Sequence, residues 1–378
     1  FCSMRFLTAD YLFPLDQKPI KEGVVNVDKS GKIISVIDSR KKIPTNKLEI
    51  FEGIISPGFI NAHCHLELSY LQNKISKQVG LVDFIKELQL KKINNENIYE
   101  AIEQAENLMI KNGIVGVGDI CNTDYTLKQK VKKNLKYYNF IELYAVKTNQ
   151  VEQCFNDAKR LKKKFIEHNL QSTIVPHSTY GVHPRLMHMI LNYMKENDLI
   201  SIHNLETESE RDYLHKKSGN IFRWLKQLDA DLSIWSQTPN SHELINNVNK
   251  QTIFVHNTFA KKTEIENKLC CTCPKANLFI EGVLPSYDKF DIDSLCVGTD
   301  SLASNENLSI LEELFIIQRN STYCLNTLLK IGCLNGAKAL KFNSLGSIAE
   351  GKNPGLNLIT NIKNLKLTNE SVVKPLLN

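Results

Sequence analysis

The chain has 378 residues, 42% of them hydrophobic and 23% charged, with a formal net charge of +6 from 47 Lys plus Arg against 41 Asp plus Glu. That balance belongs to a folded globular protein with a sizeable core, and it excludes a peptide hormone, a lone binding module and a disordered or fibrous chain. The basic residues are scattered or lie on helix faces such as Arg160 to Lys164, so they read as solvated surface and not as a nucleic-acid groove.

Ten cysteines fall well below the density of a disulfide scaffold. Cys121, Cys154, Cys296, Cys324 and Cys333 lie in apolar runs, where free thiols behave as small core residues, so a reducing cytoplasm is expected. No apolar stretch reaches the roughly 20 residues that span a bilayer, and the first residues lack the regions of a secretory signal. Neither a membrane nor a nucleic acid is an expected partner.

From Phe6 to Ile55 the pattern is of short strands: Phe6 to Thr8, Gly23 to Val27 and Lys32 to Ile37, separated by turns such as Asp28-Lys29-Ser30-Gly31. The stretches from Gly346 to Ile359 and from Ser371 to Val373 have the same texture. Neither end can close a sandwich alone, so both termini are expected to form one small β-sandwich domain, residues 1–55 plus 345–378.

Residues 56–344 alternate apolar, β-branched runs with amphipathic segments, the pattern of parallel strands covered by helices. The expected strands are Gly58 to Ala62, Ile114 to Ile120, Phe140 to Ala145, Ser172 to Pro176, Leu199 to Ile202, Thr252 to Val255, Leu269 to Cys273 and Leu295 to Val297. Helices are expected at Leu81 to Leu90, Tyr99 to Lys111, Val151 to Glu167, Pro184 to Glu196, Ser209 to Gln227 and Ile310 to Gln318. Eight such units predict an α/β fold, a (β/α)8 TIM barrel.

In such a barrel the reactive residues sit at the C-terminal strand ends. Here strand one ends in His63-Cys64-His65, strand four in His177, strand five in His203 with Glu206 three residues on, strand six in His256 and strand eight in Asp300. His63 and His65 are two apart, so on an extended strand both imidazoles face one side, which suits a chelate. His63, His65, His203 and Asp300 have the chemistry to hold a divalent metal, which lowers the pKa of a water and yields a hydroxide nucleophile near neutral pH. Glu206 stands where a proton acceptor and later donor is needed.

The motifs Pro57-Gly-Phe-Ile-Asn-Ala-His63-Cys-His65, Pro176-His177-Ser-Thr-Tyr, Ile202-His203-Asn-Leu-Glu206-Thr, Val255-His256-Asn and Gly298-Thr-Asp300-Ser-Leu-Ala-Ser-Asn305 resemble the amidohydrolase superfamily. Within it they resemble the mononuclear branch of cytosine, guanine, adenosylhomocysteine and aminofutalosine deaminases and triazine chlorohydrolases. The resemblance covers nearly the whole chain. It implies one divalent metal ion, Zn or Fe(II), on His63, His65, His203 and Asp300. It further implies Glu206 as proton shuttle, His256 orienting the water, Asp300 as a second proton acceptor, His177 touching substrate, and a homodimer. Binuclear relatives carry a lysine where this chain has His177, which favours one metal and loss of ammonia from a heterocycle, a purine or pyrimidine derivative. The stretch His65-Leu-Glu67-Leu-Ser69 is similar to the aminofutalosine deaminases. The alternatives are a chloro-heterocycle or cyclic amide as substrate, or a non-catalytic barrel scaffold.

Other residues carry less. Glu67 and Ser69 are candidates to bind a substrate hydroxyl, and Trp235 to stack on a ring. His183 and His242 read as surface or capping residues, and His168, His188 and His215 receive no role. Cys270-Cys271-Thr272-Cys273 reads as core thiols, because no second pair completes a zinc site, and Gly113 to Gly118 reads as close packing on strand two.

Overall fold

The structure is a computed structural model that describes residues 4–91, 97–235 and 240–377. Eight strands follow one another along the central part of the chain: Phe59–Cys64, Ile114–Cys121, Lys136–Leu143, Ser172–Pro176, Ile200–Asn204, Thr252–His256, Leu269–Thr272 and Leu295–Val297. They are called strands one to eight below. Strands one to four pair in sequence order as one parallel sheet, and strands five to eight as another. Isolated parallel bridges join the two sheets at both seams, Cys64 to Asp300 and Ser178 to His203.

Strands one, two, four, five and six are buried along their full length, as parallel strands covered on both faces must be. One apolar cluster between the sheets gathers Ile60, Tyr138, Phe140, Val175, Ile253, Val255 and Cys271. The glycines of strand two serve close packing: a Cβ on Gly118 would lie 2.5 Å from the carbonyl oxygen of Ala62. A second cluster packs the helix Val151–Glu167 through Phe155, Ala158 and Phe165 against Ile141 and Ile174.

At the termini, one sheet runs Ile33–Ile37, Val24–Val27, Arg5–Thr8, Leu48–Ile50, and a second runs Val372–Leu377, Leu356–Thr360, Ile54–Pro57, Tyr11–Leu12, Ile20–Lys21. Ile55 faces Leu358 in the antiparallel ladder, so both ends of the chain share a sheet. Leu7, Val25, Ile33, Ile55, Leu356 and Leu358 share one core. Because Ile54–Pro57 is followed by Phe59–Cys64 after the single residue Gly58, this unit anchors the start of strand one.

Several boundaries differ from expectation. Strand three starts at Lys136 and stops at Leu143, leaving Ala145 only a bridge to Val182. The expected helix from Ser209 to Gln227 is two helices, Glu208–Lys216 and Gly219–Gln227, because Lys217 (φ 49°) and Gly219 (φ 89°) are left-handed and break the hydrogen-bond ladder. The helix from Pro184 ends at Tyr193, short of Glu196. Cys324 is exposed and half-buried Cys154 borders the core, whereas Cys121, Cys296 and Cys333 are buried. Among the described residues no helix is long and apolar enough to cross a membrane.

Candidate active site

Strand one delivers His63 and, just past its end, His65, whose Nε2 atoms approach to 3.1 Å. Strand eight meets it across the seam, where the amides of Thr299 and Asp300 both donate to the His63 carbonyl at 3.1 Å. Asp300 Oδ1 thereby stands 3.7 Å from His63 Nε2 and 3.4 Å from His65 Nε2. Its other oxygen accepts the Ser304 hydroxyl at 2.6 Å. From strand five, His203 uses Nδ1 on the His177 carbonyl, 2.9 Å away, which leaves Nε2 as the lone-pair nitrogen. Nitrogens of His63, His65 and His203 all lie within 4.8 Å of one another.

This cluster fits a divalent metal. Burial, followed by the neighbouring histidines, holds His63 well below the ordinary histidine range, and burial with His177 pushes His203 down to about 3. Three imidazoles with nitrogens within 4.8 Å of one another, two of them with pKa values lowered by burial, beside a carboxylate, are the donor set that zinc or ferrous iron takes. A second group, Glu142, His177 and His203, shares His203. Its Glu142 Oε1 approaches His203 Nδ1 at 3.4 Å, but that nitrogen is already bonded to the His177 carbonyl, so only the first group aims lone pairs at a common point.

Glu206 is buried beyond Leu205, which takes a positive φ of 45°, and its amide donates to Glu210 Oε2 at 3.0 Å. Burial, then the charges of Asp300, Glu281 and Glu142, hold its carboxyl well above the usual range. Its Oε1 is 3.6 Å from His256 Nε2. His256 gives Nδ1 to Asn277 Oδ1 at 2.8 Å, and its buried Nε2 has no hydrogen-bond partner among the described residues. His256 and Asp300 both have positive φ, 67° and 56°. Such conformations cost on the order of 1–3 kcal/mol each and persist where surrounding bonds enforce them. Next to His256, Asn257 is tied by its amide to Asn204 O at 2.9 Å and by its side chain to Phe254 O at 2.7 Å.

His177 is half-buried, stacks on His203 with ring centroids 4.6 Å apart, and lines a cavity of about 230 Å³ with His65, His203, Glu206, His256 and Asp300. Leu68, Leu81, Phe84, Ile85, Leu88, Trp224 and Ile280 give this cavity apolar walls. Glu67 does not line it. Its carboxylate accepts the Asn122 and Thr123 amides at 3.0–3.1 Å and the Thr123 hydroxyl at 2.8 Å, so it holds the loop after strand two. The reason is local: the turn Leu66–Leu71 directs that side chain to the neighbouring strand end. Ser69 likewise donates to Leu66 O at 2.7 Å. His183 caps the helix Pro184–Tyr193, and no cysteine joins a metal-capable group among the described residues. The Trp235 side chain lies outside the described residues.

Sequence reasoning missed Glu142, Tyr144, Asn122 and Trp224, all of which line the cavity. The signal for Glu142 was the end of strand three: with the strand stopping at Leu143, Glu142 is a strand-end residue like the histidines. Trp224 stacks on Tyr144 at 6.3 Å, a contact between helix and strand end that spacing does not reveal.

Comparison with known proteins gives a consistent picture. The model of the family described as "Amidohydrolase family" matches residues 54–374. The aminodeoxyfutalosine deaminase of a Nitratiruptor species is 28% identical over 93% of this chain and 92% of its own length. The adenosine deaminase of Helicobacter pylori is 29% identical over 90% and 88%. Among solved structures, Helicobacter pylori aminofutalosine deaminase in complex with methylthio-coformycin superposes with a TM-score of 0.78 at 22% identity, covering 96% of this chain and 93% of that one.

Proposed function

The chain belongs to the amidohydrolase family, and from that premise we propose that it is a metal-dependent hydrolytic deaminase of adenosine-type nucleosides. The observation that carries the reading is the convergence of His63, His65, His203 and Asp300 beside the buried carboxyl of Glu206, at a cavity that His65, His203, Glu206 and Asp300 line. In this reading residues 56–344 close into a (β/α)8 barrel, with the two bridged seams in support. Residues 1–55 and 345–378 form its β-sandwich, supported by their shared core.

One divalent ion, Zn or Fe(II), would be held by His63, His65, His203 and Asp300. When bound, it supplies the Lewis acidity that brings the pKa of a water near neutrality. Glu206 takes a proton from the attacking water and hands it to the departing ammonia; a carboxyl whose pKa lies above the usual range suits a group that keeps a proton between two steps. Asp300 takes the second proton of the water and passes it to the ring nitrogen beside the reacting carbon, while Ser304 holds its carboxylate in place. Neutral His256, pinned by Asn277, presents Nε2 toward the reacting carbon, and His177 contacts the ring. The apolar walls at Leu68, Phe84 and Trp224 take a flat base, which agrees with the aminodeoxyfutalosine and adenosine deamination named for the two relatives.

The test is ammonia release by zinc-loaded protein from adenosine, 5′-deoxyadenosine, methylthioadenosine, adenosylhomocysteine and aminodeoxyfutalosine. Release from at least one is expected. Silence across the panel from protein holding one zinc ion overturns the substrate class.

A further inference from the structure

Behind strand one lies a chain of buried polar groups that the proposed chemistry does not use. Lys130, ending the short helix Leu127–Lys130, is 1% exposed, and Asp119 of strand two is 0% exposed. The Lys130 ammonium donates to Asp119 Oδ2 and, at 2.7 Å, to Asn139 Oδ1, and the rings of Tyr137 and Phe165 cover it at 5.0 and 5.4 Å. Asn139 in turn donates to Gln171 O at 2.8 Å, just ahead of strand four. The other oxygen of Asp119 accepts the Leu66 amide at 2.8 Å.

Leu66 follows His65, whose ψ of 75° is neither strand nor helix. The direction of the Leu66 N–H reports that angle, so a fixed acceptor for this amide fixes the peptide that carries the His65 ring. A buried ion pair is weak evidence for stability, since well-packed apolar residues of similar volume do as well or better. An apolar pair cannot, however, accept the Leu66 amide or tie the turn after strand one to strands two, three and four. We infer that Asp119, held in place by Lys130, is a positioning residue for the ligand His65, acting through the Leu66 amide. The inference rests on the reading of His65 as a metal ligand.

Two double variants test it, with zinc as the probe and competition by a chelator as the readout. Asp119→Leu/Lys130→Met removes both charges and the acceptor, whereas Asp119→Asn/Lys130→Met removes both charges and keeps a carbonyl for the amide. The leucine version is expected to lose zinc affinity by about 10–100-fold, as outer partners of metal ligands do when removed, while the asparagine version stays within about threefold of the parent and the metal-free forms melt alike. Equal retention or equal loss in the two overturns the inference. Should the leucine version not fold, Asp119→Ala/Lys130→Met, which also lacks the acceptor, takes its place: zinc affinity lower than in the asparagine version upholds the assignment, and equal affinity in the two overturns it. A parent chain that binds no zinc would instead defeat the underlying metal reading, so the two failures are distinct.

Discussion

Asp300 sits where two sheets meet, bonded through its amide to the His63 carbonyl and through Oδ2 to Ser304, with Oδ1 left to face the histidines. Asp300→Ala removes that oxygen, so zinc affinity is expected to fall by more than the roughly 10–100-fold that losing an outer partner of a ligand costs, and turnover to be lost, measured by chelator competition and ammonia release. Unchanged affinity and rate would remove Asp300 from the ligand set. The histidines were legible in sequence because imidazole is scarce and each falls at the end of an apolar run. Glu142 was not, since its place depends on where strand three stops. For Glu67, adjacency to His65 in sequence does not reveal that a tight turn brings its carboxylate to Asn122 and Thr123.

The helices Glu208–Lys216 and Gly219–Gln227 carry Glu210 behind Glu206 and Trp224 into the cavity wall, so their junction shapes the site. Gly219 has φ 89°, and a Cβ there would meet Ser209 Oγ at 3.0 Å. Gly219→Ala is therefore expected to cost about 1–2 kcal/mol, read from the denaturant midpoint; no loss would mean the junction adapts freely. Burial pushes Glu210 up to about 8, even though its carboxylate accepts the Glu206 amide, and its Oε1 lacks a hydrogen-bond partner among the described residues. The folded state then holds this proton more tightly than the unfolded chain between about pH 4.5 and 8, so the stability it contributes is present at the acid end and lost as pH rises. In Glu210→Gln the fall in melting temperature from about pH 5 to about pH 8.5 should be shallower than in the parent. Equal slopes would contradict it. Buried parallel strands announce themselves by continuous apolar runs, whereas the break at Lys217 needs a left-handed lysine that propensity does not signal.

At the scale of the molecule, the β texture at both ends made the pairing of the termini legible, but not the strand that joins them. That strand, Ile54–Pro57, lies between Leu356–Thr360 and Tyr11–Leu12 and leads directly into the strand that bears His63. Deleting residues 354–378 strips it of a neighbour and uncovers buried Ile55, so the truncated protein is expected to be insoluble. A soluble truncation that still binds zinc would show that the ends are dispensable. The ends of strands one, four, five, six and eight supply the whole constellation, which is why spacing in sequence carried so much of the site while the cavity walls, drawn largely from the intervening helices, stayed hidden. The most direct measurement is ammonia release against zinc added per chain, in the parent and in Glu206→Gln, on whichever adenosine-type nucleoside turns over. Release that saturates at one zinc per chain, and falls by about 100-fold or more in the variant at the same zinc load, is the predicted result. Release that ignores zinc, or survives in the variant, would contradict the account.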